Sequence, residues 1–337
     1  MDAIKRTVTT LLLVALAAVA AMAGVDVEAA KRMYEERDYD GARAAFQSIL
    51  AEHNDHHEAL YYLGRIELDH WDLDAAREFL ERLVEVAPES AGYRLRLGEV
   101  YSQKARTSGF FMTKKSFAGK WKEQLETAFA LAPELIEARE RLARYLLVAP
   151  GIGGGDKDRG TRIARETVEI DEIRGRLLLA YAYNRTGDLA ASDDEARRVL
   201  QANPDNAYAH KQLGLNERKR KNAAAEEHLL RFVKLAPENA NAHVVLADYY
   251  DETGQLRDAA TEYEKALALD PLLSEARFEL AEAYEELEMG DRAAEHYEQL
   301  VALTPKHFQA DQAAKRLEHL RRHGHPVANG RARASDK

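Results

Sequence analysis

The chain of 337 residues contains no cysteine at all. This absence excludes disulfide bonds, thiolate zinc ligands and a cysteine nucleophile. It also excludes a lipid-modified N-terminal cysteine. If the chain is exported, its fold must therefore be held together by packing alone.

Catalytic signatures are missing as well. The sequence has no Gly-x-Ser-x-Gly elbow and no His-Glu-x-x-His zinc pair. Six of its twelve histidines gather in two surface-like clusters, which we expect to be solvated because a specific metal site needs a closed ligand set. The clusters are His53, His56 and His57, and His319, His323 and His325. We therefore expect no enzymatic activity, no cofactor and no bound metal.

An excess of basic residues is also lacking. The formal net charge of −10 argues against general nucleic-acid binding, which requires a basic footprint. No strand-like alternation of apolar and polar residues is present either. A composition of 46% hydrophobic and 31% charged residues agrees with a soluble helical protein.

Proline is sparse but regularly placed. Six of the eight prolines punctuate the chain, and the last intervals are 33, 34 and 34 residues. These prolines are Pro88, Pro133, Pro204, Pro237, Pro271 and Pro305. A fixed period of this length predicts a solenoid of stacked repeats.

Apolar and small residues recur with the same period. Each member of one set reappears 34 positions later in the other. The first set is Leu246, Ala247, Tyr250, Ala259, Tyr263, Ala266 and Pro271, and the second is Leu280, Ala281, Tyr284, Ala293, Tyr297, Leu300 and Pro305. This pattern of spacing, residue size and terminal proline resembles the tetratricopeptide repeat, a pair of helices.

The residues explain why each repeat forms a helix pair. Spacings of three and four place the apolar residues on one helical stripe. Ala247 and Ala259 allow close approach of the two helices, Gly254 can close the first helix with a positive φ, and Pro271 ends the second. One pair leaves an apolar face uncovered, so neighbouring repeats must stack.

The predicted fold is an all-α, right-handed solenoid of about eight helix pairs with a C-terminal capping helix. The repeats are assigned to residues 23–56, 57–90, 91–135, 136–172, 173–205, 206–239, 240–273 and 274–307. The capping helix is predicted at 308–322, because an uncapped end would expose apolar surface. The polar residues 323–337 are predicted to be a disordered tail.

The N-terminus indicates export. Lys5 and Arg6 precede an apolar run that ends in the small-residue pattern Ala21-Met22-Ala23. This pattern predicts a signal peptide at 1–23 that is cleaved after Ala23, and hence a periplasmic or secreted protein. The alternative is an uncleaved inner-membrane anchor, because the run is just long enough to span a bilayer.

An insertion in the third repeat reverses the local charge. Residues 104–122 contain six basic residues, four aromatic residues and no acid. One interpretation is contact with a membrane or another partner through Phe110, Phe111, Lys114 and Lys115. The other is an extended helix whose aromatic residues pack back onto neighbouring repeats while the lysines stay solvated.

A glycine-rich segment, residues 149–162, interrupts the fourth repeat. It does not match a phosphate-binding loop, because no strand precedes it and no Gly-Lys-Ser/Thr ending follows. We expect an irregular turn in which Asp156 or Asp158 caps the next helix. An insertion followed by a loop of this kind resembles a set of exported bacterial tetratricopeptide proteins, and that resemblance implies no activity.

The resemblance also implies a binding groove, since the first helix of each repeat lines the concave face of such arrays. Matching positions in the fifth and sixth repeats are basic and aromatic, whereas those in the seventh and eighth are acidic. The candidate groove residues are Arg174, Tyr181, Arg185, Tyr208, Lys211, Arg218, Lys219, Asp248, Asp251, Glu252, Phe278, Glu282 and Glu285. Tyr181, Tyr208 and Phe278 are the expected anchors. The alternative is that these charges only keep the solenoid soluble.

We therefore expect a non-catalytic scaffold or adaptor that binds a protein or peptide partner in the bacterial cell envelope through its concave groove. Charge complementarity along the groove would orient the partner. The alternative function is a peripheral membrane or envelope-polymer adaptor that acts through the insertion at 104–122. The sequence does not indicate the partner's identity or an oligomeric state.

Overall fold

The structure, a computed structural model, describes residues 26–323. The predicted signal peptide lies outside these residues. So does the predicted tail, except for His323 at its start. Within the described residues the chain is helical and contains no strand.

Seventeen α-helices and one short 3₁₀ helix follow one another between residues 26 and 323. The α-helices are α1 (Val27–Glu35), α2 (Tyr39–Glu52), α3 (His57–Asp69), α4 (Leu73–Val86), α5 (Ala91–Thr107), α6 (Phe111–Leu131), α7 (Ile136–Val148), α8 (Lys157–Val168), α9 (Glu172–Thr186), α10 (Leu189–Ala202), α11 (Ala207–Lys219), α12 (Ala224–Leu235), α13 (Ala240–Glu252), α14 (Leu256–Leu269), α15 (Ser274–Glu286), α16 (Gly290–Leu303) and α17 (Ala310–His323). The 3₁₀ helix is Gly151–Gly153, between α7 and α8.

The helices form pairs that stack into a ribbon. Each helix packs on its neighbours in sequence, and the first helices of adjacent pairs also contact each other, as α9 does with α7 and α11. The predicted all-α solenoid is therefore confirmed. Its right-handedness and the limits of the eight repeats stay predictions.

Small residues set the distance between the helices of a pair. Gly64 in α3 lies against Leu80 in α4, and a Cβ atom added at Gly64 would be 2.6 Å from Leu80 Cγ. Gly98 occupies the equivalent position 34 residues later, but its nearest neighbours would be 3.5 Å from an added Cβ. The space is larger there, because the nearest atoms, Gln124 Cβ and Trp121 Cδ1, lie at ordinary contact distance.

The turn inside most helix pairs contains one residue in the left-handed conformation. Gly254 has a φ of 81°, as the sequence predicts. Trp71 occupies the same position of the second pair with a φ of 61°. A side chain there costs about 1–2 kcal/mol relative to glycine, and at Trp71 this cost is offset by a contact of the indole.

The two ends of the ribbon provide that contact, because they touch each other. We call this region the seam. Its polar contacts are those of Arg37 with the carbonyl of Leu269, Arg106 with Glu275, and Lys306 with Asp72. The ring of Trp71 meets the rings of His307 and Phe308, with centroids 4.3 and 5.8 Å away.

Arg106 is the central residue of the seam. Its guanidinium lies 5.4 Å from the Trp71 ring centroid and 5.2 Å from that of Phe308. Cation–π contacts of this kind contribute about 0.5–1 kcal/mol each at exposed sites. On the N-terminal side, the seam contains turns between the two helices of one pair, such as Trp71 and Asp72. On the C-terminal side, it contains turns between successive pairs, such as Lys306 to Phe308. These two kinds of turn lie on opposite edges of the ribbon. The ribbon has therefore completed about one full superhelical turn.

The C-terminal helix caps the last pair. α17 buries Ala310, Ala313, Leu317 and Leu320 against the preceding helices. This confirms the predicted capping helix, which begins at Ala310 instead of residue 308.

The insertion at 104–122 lengthens a helix pair and is not a long loop. α5 has 17 residues and α6 has 21, and only three residues join them. Most of the insertion thus forms a helical hairpin that extends past the neighbouring pairs.

Replacing Gly64 by alanine should lower stability, whereas replacing Gly98 should not. The added methyl at Gly64 would collide with Leu80 and cost about 1–3 kcal/mol. At Gly98 the space is sufficient, so the better helix propensity of alanine should stabilise by about 0.5–1 kcal/mol. Urea unfolding followed by circular dichroism measures both. Equal effects of the two changes would contradict the packing described here.

Replacing Trp71 by glycine should open the seam without destabilising its own turn. Glycine relieves the left-handed backbone at Trp71 while removing the ring that contacts His307 and Phe308. We expect a larger radius of gyration in small-angle X-ray scattering and an unchanged or higher melting temperature. Lys221→Gly is the control, because Lys221 has a φ of 54° in an equivalent turn. An unchanged radius for both variants would argue against the seam.

Acidification should also weaken the seam. Burial, reinforced by Arg106, lowers the pKa of His307 to about 4. When the seam is open, His307 regains the ordinary histidine pKa of about 6.5. Between about pH 4 and about pH 6.5 the open form therefore binds more protons than the closed form. The contribution of His307 is therefore complete above about pH 6.5 and lost as the pH falls through 4. Scattering at about pH 7.5 and about pH 5 should show an expansion of the native chain that His307→Gln abolishes.

Candidate functional site

The first helices of three adjacent pairs enclose a cavity on one face of the ribbon. Its volume is about 400 Å³. The residues that line it come from α9, α11 and α13: Tyr181, Asn184, Arg185, Gln212, Leu215, Arg218, Lys219 and Glu252. Five of the predicted groove residues are thus brought together here.

Buried amides form the floor of this cavity. The Asn184 side-chain NH₂ donates to Asn216 Oδ1 at 2.6 Å, and Asn216 donates to Ser192 Oγ at 2.9 Å and to Asp193 Oδ1 at 2.7 Å. Gln212 donates to Asn216 Oδ1 at 3.0 Å. Because buried polar groups are costly to leave unpaired, this network holds α9, α10 and α11 in a single arrangement.

Three basic residues, Arg185, Arg218 and Lys219, line the cavity, and Lys211 lies on the same helix as the last two. Lys219 Nζ donates to the Asn184 carbonyl at 2.9 Å. Burial, together with the charge of Arg185, lowers the pKa of Lys219. Burial and Arg144 likewise lower the pKa of Lys211. Two lysines beside arginines favour an anionic group as ligand, since a negative charge would relieve this repulsion.

Two of the expected aromatic anchors lie on this side. The guanidinium of Arg144 lies over the Tyr181 ring, with its Cζ 4.3 Å from the ring centroid. Tyr208 is 54% exposed, and its ring centroid is 5.9 Å from that of Phe232. Both rings stand on first helices, α9 and α11, so a ligand in the groove would meet them.

Several predicted groove charges are already paired with neighbouring repeats. Arg218 forms a two-point ion pair with Glu252. Arg174 donates two hydrogen bonds to Glu140, at 3.1 and 2.7 Å. Lys211, also a predicted groove residue, donates to Asn241 Oδ1 at 2.7 Å.

The acidic side of the predicted groove is smaller than the sequence indicates. Asp248 accepts a hydrogen bond of 2.7 Å from the Tyr263 hydroxyl, and burial raises its pKa. Asp251 and Glu252 lie nearby at the end of α13. Glu252 is the most accessible of the three, with 55% of its side chain exposed.

Phe278, Glu282 and Glu285 are not accessible, which corrects the prediction for the eighth repeat. Phe278 is 3% exposed and packs on Tyr297. Arg316 of α17 lies 3.1 Å from both Glu282 and Glu285. The capping helix therefore covers the position that the first helix of another repeat would take. Phe278 cannot act as an anchor in this arrangement.

Sequence reasoning missed three residues of this region: Arg144, Gln212 and Asn216. Arg144 belongs to the first helix of an earlier pair, so position within one repeat gives no sign of its contact with Tyr181. Gln212 and Asn216 interrupt an apolar stripe in α11, and this interruption was an available signal.

The insertion residues lie apart from this cavity. Phe110 and Phe111, at the tip of the hairpin, are 81% and 64% exposed. Lys114 and Lys115 are exposed on the first turns of α6. The glycine-rich segment forms a tight turn, and the Asp156 side chain caps α8 by accepting from the Arg159 backbone N–H at 2.8 Å, as predicted.

Between residues 26 and 323, no group of three or more histidine, aspartate or glutamate side chains is arranged to hold a metal ion. Over the same part of the chain, no helix combines the length and the apolar character needed to cross a membrane.

Comparisons with known proteins agree with this architecture. Two family profiles, both described as tetratricopeptide repeat, match residues 33–103 and 244–308. No curated protein sequence matched the chain.

Solved structures of similar fold share little sequence with the chain. A thermophilic tetratricopeptide repeat protein of Thermus thermophilus is 20% identical, with a TM-score of 0.46 over 56% of this chain and 96% of that one. The human IFIT1 dimer with m7Gppp-AAAA is 18% identical, with a TM-score of 0.50 over 88% and 73%. MamA is 22% identical, with a TM-score of 0.39 over 48% and 93%.

The likeness to these structures concerns the fold alone. The matched family profiles lie in the first three and the last two helix pairs, and the same helical architecture continues between them. The chain is a tetratricopeptide repeat protein.

Proposed function

We propose that this protein is a non-catalytic scaffold whose groove, formed by α9, α11 and α13, binds a segment of a protein partner that carries acidic side chains. Tetratricopeptide repeats are generally interaction scaffolds, which supports the general class. The observation that carries the specific proposal is the cavity lined by Tyr181, Leu215, Arg185 and Lys219.

The chemistry of the cavity suits such a segment. Tyr181 and Leu215 offer apolar contact area, while Arg185 and Lys219 offer charge-assisted hydrogen bonds to carboxylates. Arg185 is exposed and available to a ligand. The lowered pKa of Lys219 supports an anionic ligand, because a carboxylate would favour its charged form.

We also propose that the partner is met in the cell envelope. The support is the N-terminal sequence, in which Lys5 and Arg6 precede an apolar run that ends at Ala23. The absence of cysteine is compatible with an oxidising compartment. An uncleaved anchor would leave the groove in the same compartment.

Photo-crosslinking from the groove tests this function. A photoreactive phenylalanine analogue in place of Tyr208 should capture a partner from intact cells, identified by mass spectrometry. Arg185→Glu should lower the yield roughly tenfold or more, because a charge-assisted contact becomes a repulsion. The protein recovered from the periplasmic fraction should begin at Gly24 if the signal peptide is removed.

Two matched controls keep this test specific. The analogue at Leu230, which is 46% exposed on the second helix α12, should not capture the same partner. Arg162→Glu changes the charge equally at an exposed site on α8 and should leave the yield unchanged. Equal yields from Arg185→Glu and Arg162→Glu would rule out the groove as the binding surface.

A further inference from the structure

The hairpin of α5 and α6 ends in an exposed apolar tip. Phe110, Phe111 and Met112 are 81%, 64% and 72% exposed. They are consecutive, and every residue from 109 to 116 is exposed. Three adjacent large apolar side chains in water are unfavourable unless another surface covers them.

Other aromatic residues of the same insertion are packed. The Phe117 ring stacks on Tyr101 with centroids 6.2 Å apart, and Trp121 meets Tyr145 edge-on at 4.7 Å. The insertion therefore divides at about Phe117. Phe117 and Trp121 pack against other aromatic rings and stabilise the base of the hairpin, whereas Phe110 and Phe111 at its tip face solvent.

The glycine-rich turn braces the base of the hairpin. The Tyr145 hydroxyl contacts the carbonyls of both Gly153 and Ala118, joining this turn to α6. Gly154 has a φ of 83°, which favours glycine, and a Cβ there would be 2.8 Å from Lys122 Nζ of α6. The two breaks in the repeat pattern thus form one unit.

A second contact fixes the hairpin to the next pair. Arg159 of α8 donates two hydrogen bonds to the Glu126 carboxylate of α6, at 2.5 and 2.7 Å. These two contacts fix the base of the hairpin to the solenoid. A hairpin that is already ordered loses less conformational entropy when its tip binds a surface.

The charge beside the tip is positive. No acidic residue occurs between Glu99 and Glu123. Lys104 is engaged by Asp74, but Lys114 and Lys115 are exposed directly after the apolar residues. This arrangement suits the surface of an anionic bilayer. Apolar side chains can enter the acyl-chain layer, while the neighbouring lysines remain at the level of the lipid phosphates.

We propose that this tip inserts into the surface of a membrane that contains anionic lipids. Phe110, Phe111 and Met112 enter the boundary between headgroups and acyl chains, and Lys114 and Lys115 contact headgroup phosphates. The tip is convex and small, whereas a stable protein interface needs about 800 Å² on each partner. A lipid surface adapts to a convex tip and requires no matching cavity.

Vesicle sedimentation tests this proposal. The full chain should sediment with vesicles of phosphatidylglycerol in phosphatidylcholine and only weakly with phosphatidylcholine alone. The double change Phe110→Ser and Phe111→Ser should reduce partition roughly tenfold or more. The double change Lys114→Glu and Lys115→Glu should do the same, and high salt should weaken binding of the native chain.

Matched variants distinguish the tip from the general surface. Ile152→Ser removes another side chain that is 72% exposed, and it should bind as the native chain does. Lys157→Glu with Lys234→Glu repeats the charge change at exposed sites and should also bind normally. Sensitivity to the tip lysines without sensitivity to the phenylalanines would instead indicate an anionic polymer and overturn the proposal.

The depth to which the tip enters the bilayer can be measured separately from the binding affinity. Tryptophan in place of Phe110 should be quenched by brominated lipids, whereas tryptophan in place of Ile152 should not. Circular dichroism should be unchanged in every variant, because these side chains are exposed. No sedimentation of the native chain with anionic vesicles, or equal quenching at both positions, would overturn membrane insertion.

Discussion

Close packing through small residues is the interaction on which the rest of this structure depends. Where a glycine such as Gly64 lies against Leu80, the helices of a pair come into direct contact and leave one apolar face for the next pair. Stacking repeats this relation along the chain, so the curvature of the ribbon follows from many similar contacts. The groove and the seam are both consequences of that curvature, since the first helices converge on one side and the ribbon returns to its own edge.

The sequence predicts what is local. The period of 34 residues yields the helix pairs, Gly254 has the positive φ expected of it, and Asp156 caps α8. Contacts between repeats were less accessible to prediction, because position within one repeat does not reveal the partner in another. Hence Phe278 was expected to be an anchor, although it is buried against Tyr297 of α16, and the pairing of Arg218 with Glu252 was not foreseen. The seam joins residues as distant as Arg106 and Glu275, 169 positions apart, which no nearest-neighbour pattern contains.

The insertion at 104–122 and the glycine-rich segment at 149–162 are separate in the sequence but in contact in the structure. In the sequence, the insertion and the glycine-rich turn are separate departures from the repeat. In the structure they meet, since Tyr145 links the turn to α6 and Lys122 lies over Gly154. The expectation that the aromatic residues of the insertion pack back onto the solenoid holds for Phe117 and Trp121, but not for Phe110 and Phe111. A single helical hairpin therefore combines a structural base with an exposed end.

The seam also limits how such a chain can change in length. An open solenoid gains or loses a helix pair easily, because each pair touches only its neighbours. Here, removing one pair would shift Phe308 and Lys306 around the superhelix and away from Trp71 and Asp72. Duplication or deletion of a repeat, the usual route by which repeat arrays diversify, would break a contact at the opposite end of the molecule. The number of pairs in this protein is thus under a geometric constraint similar to that of a closed ring.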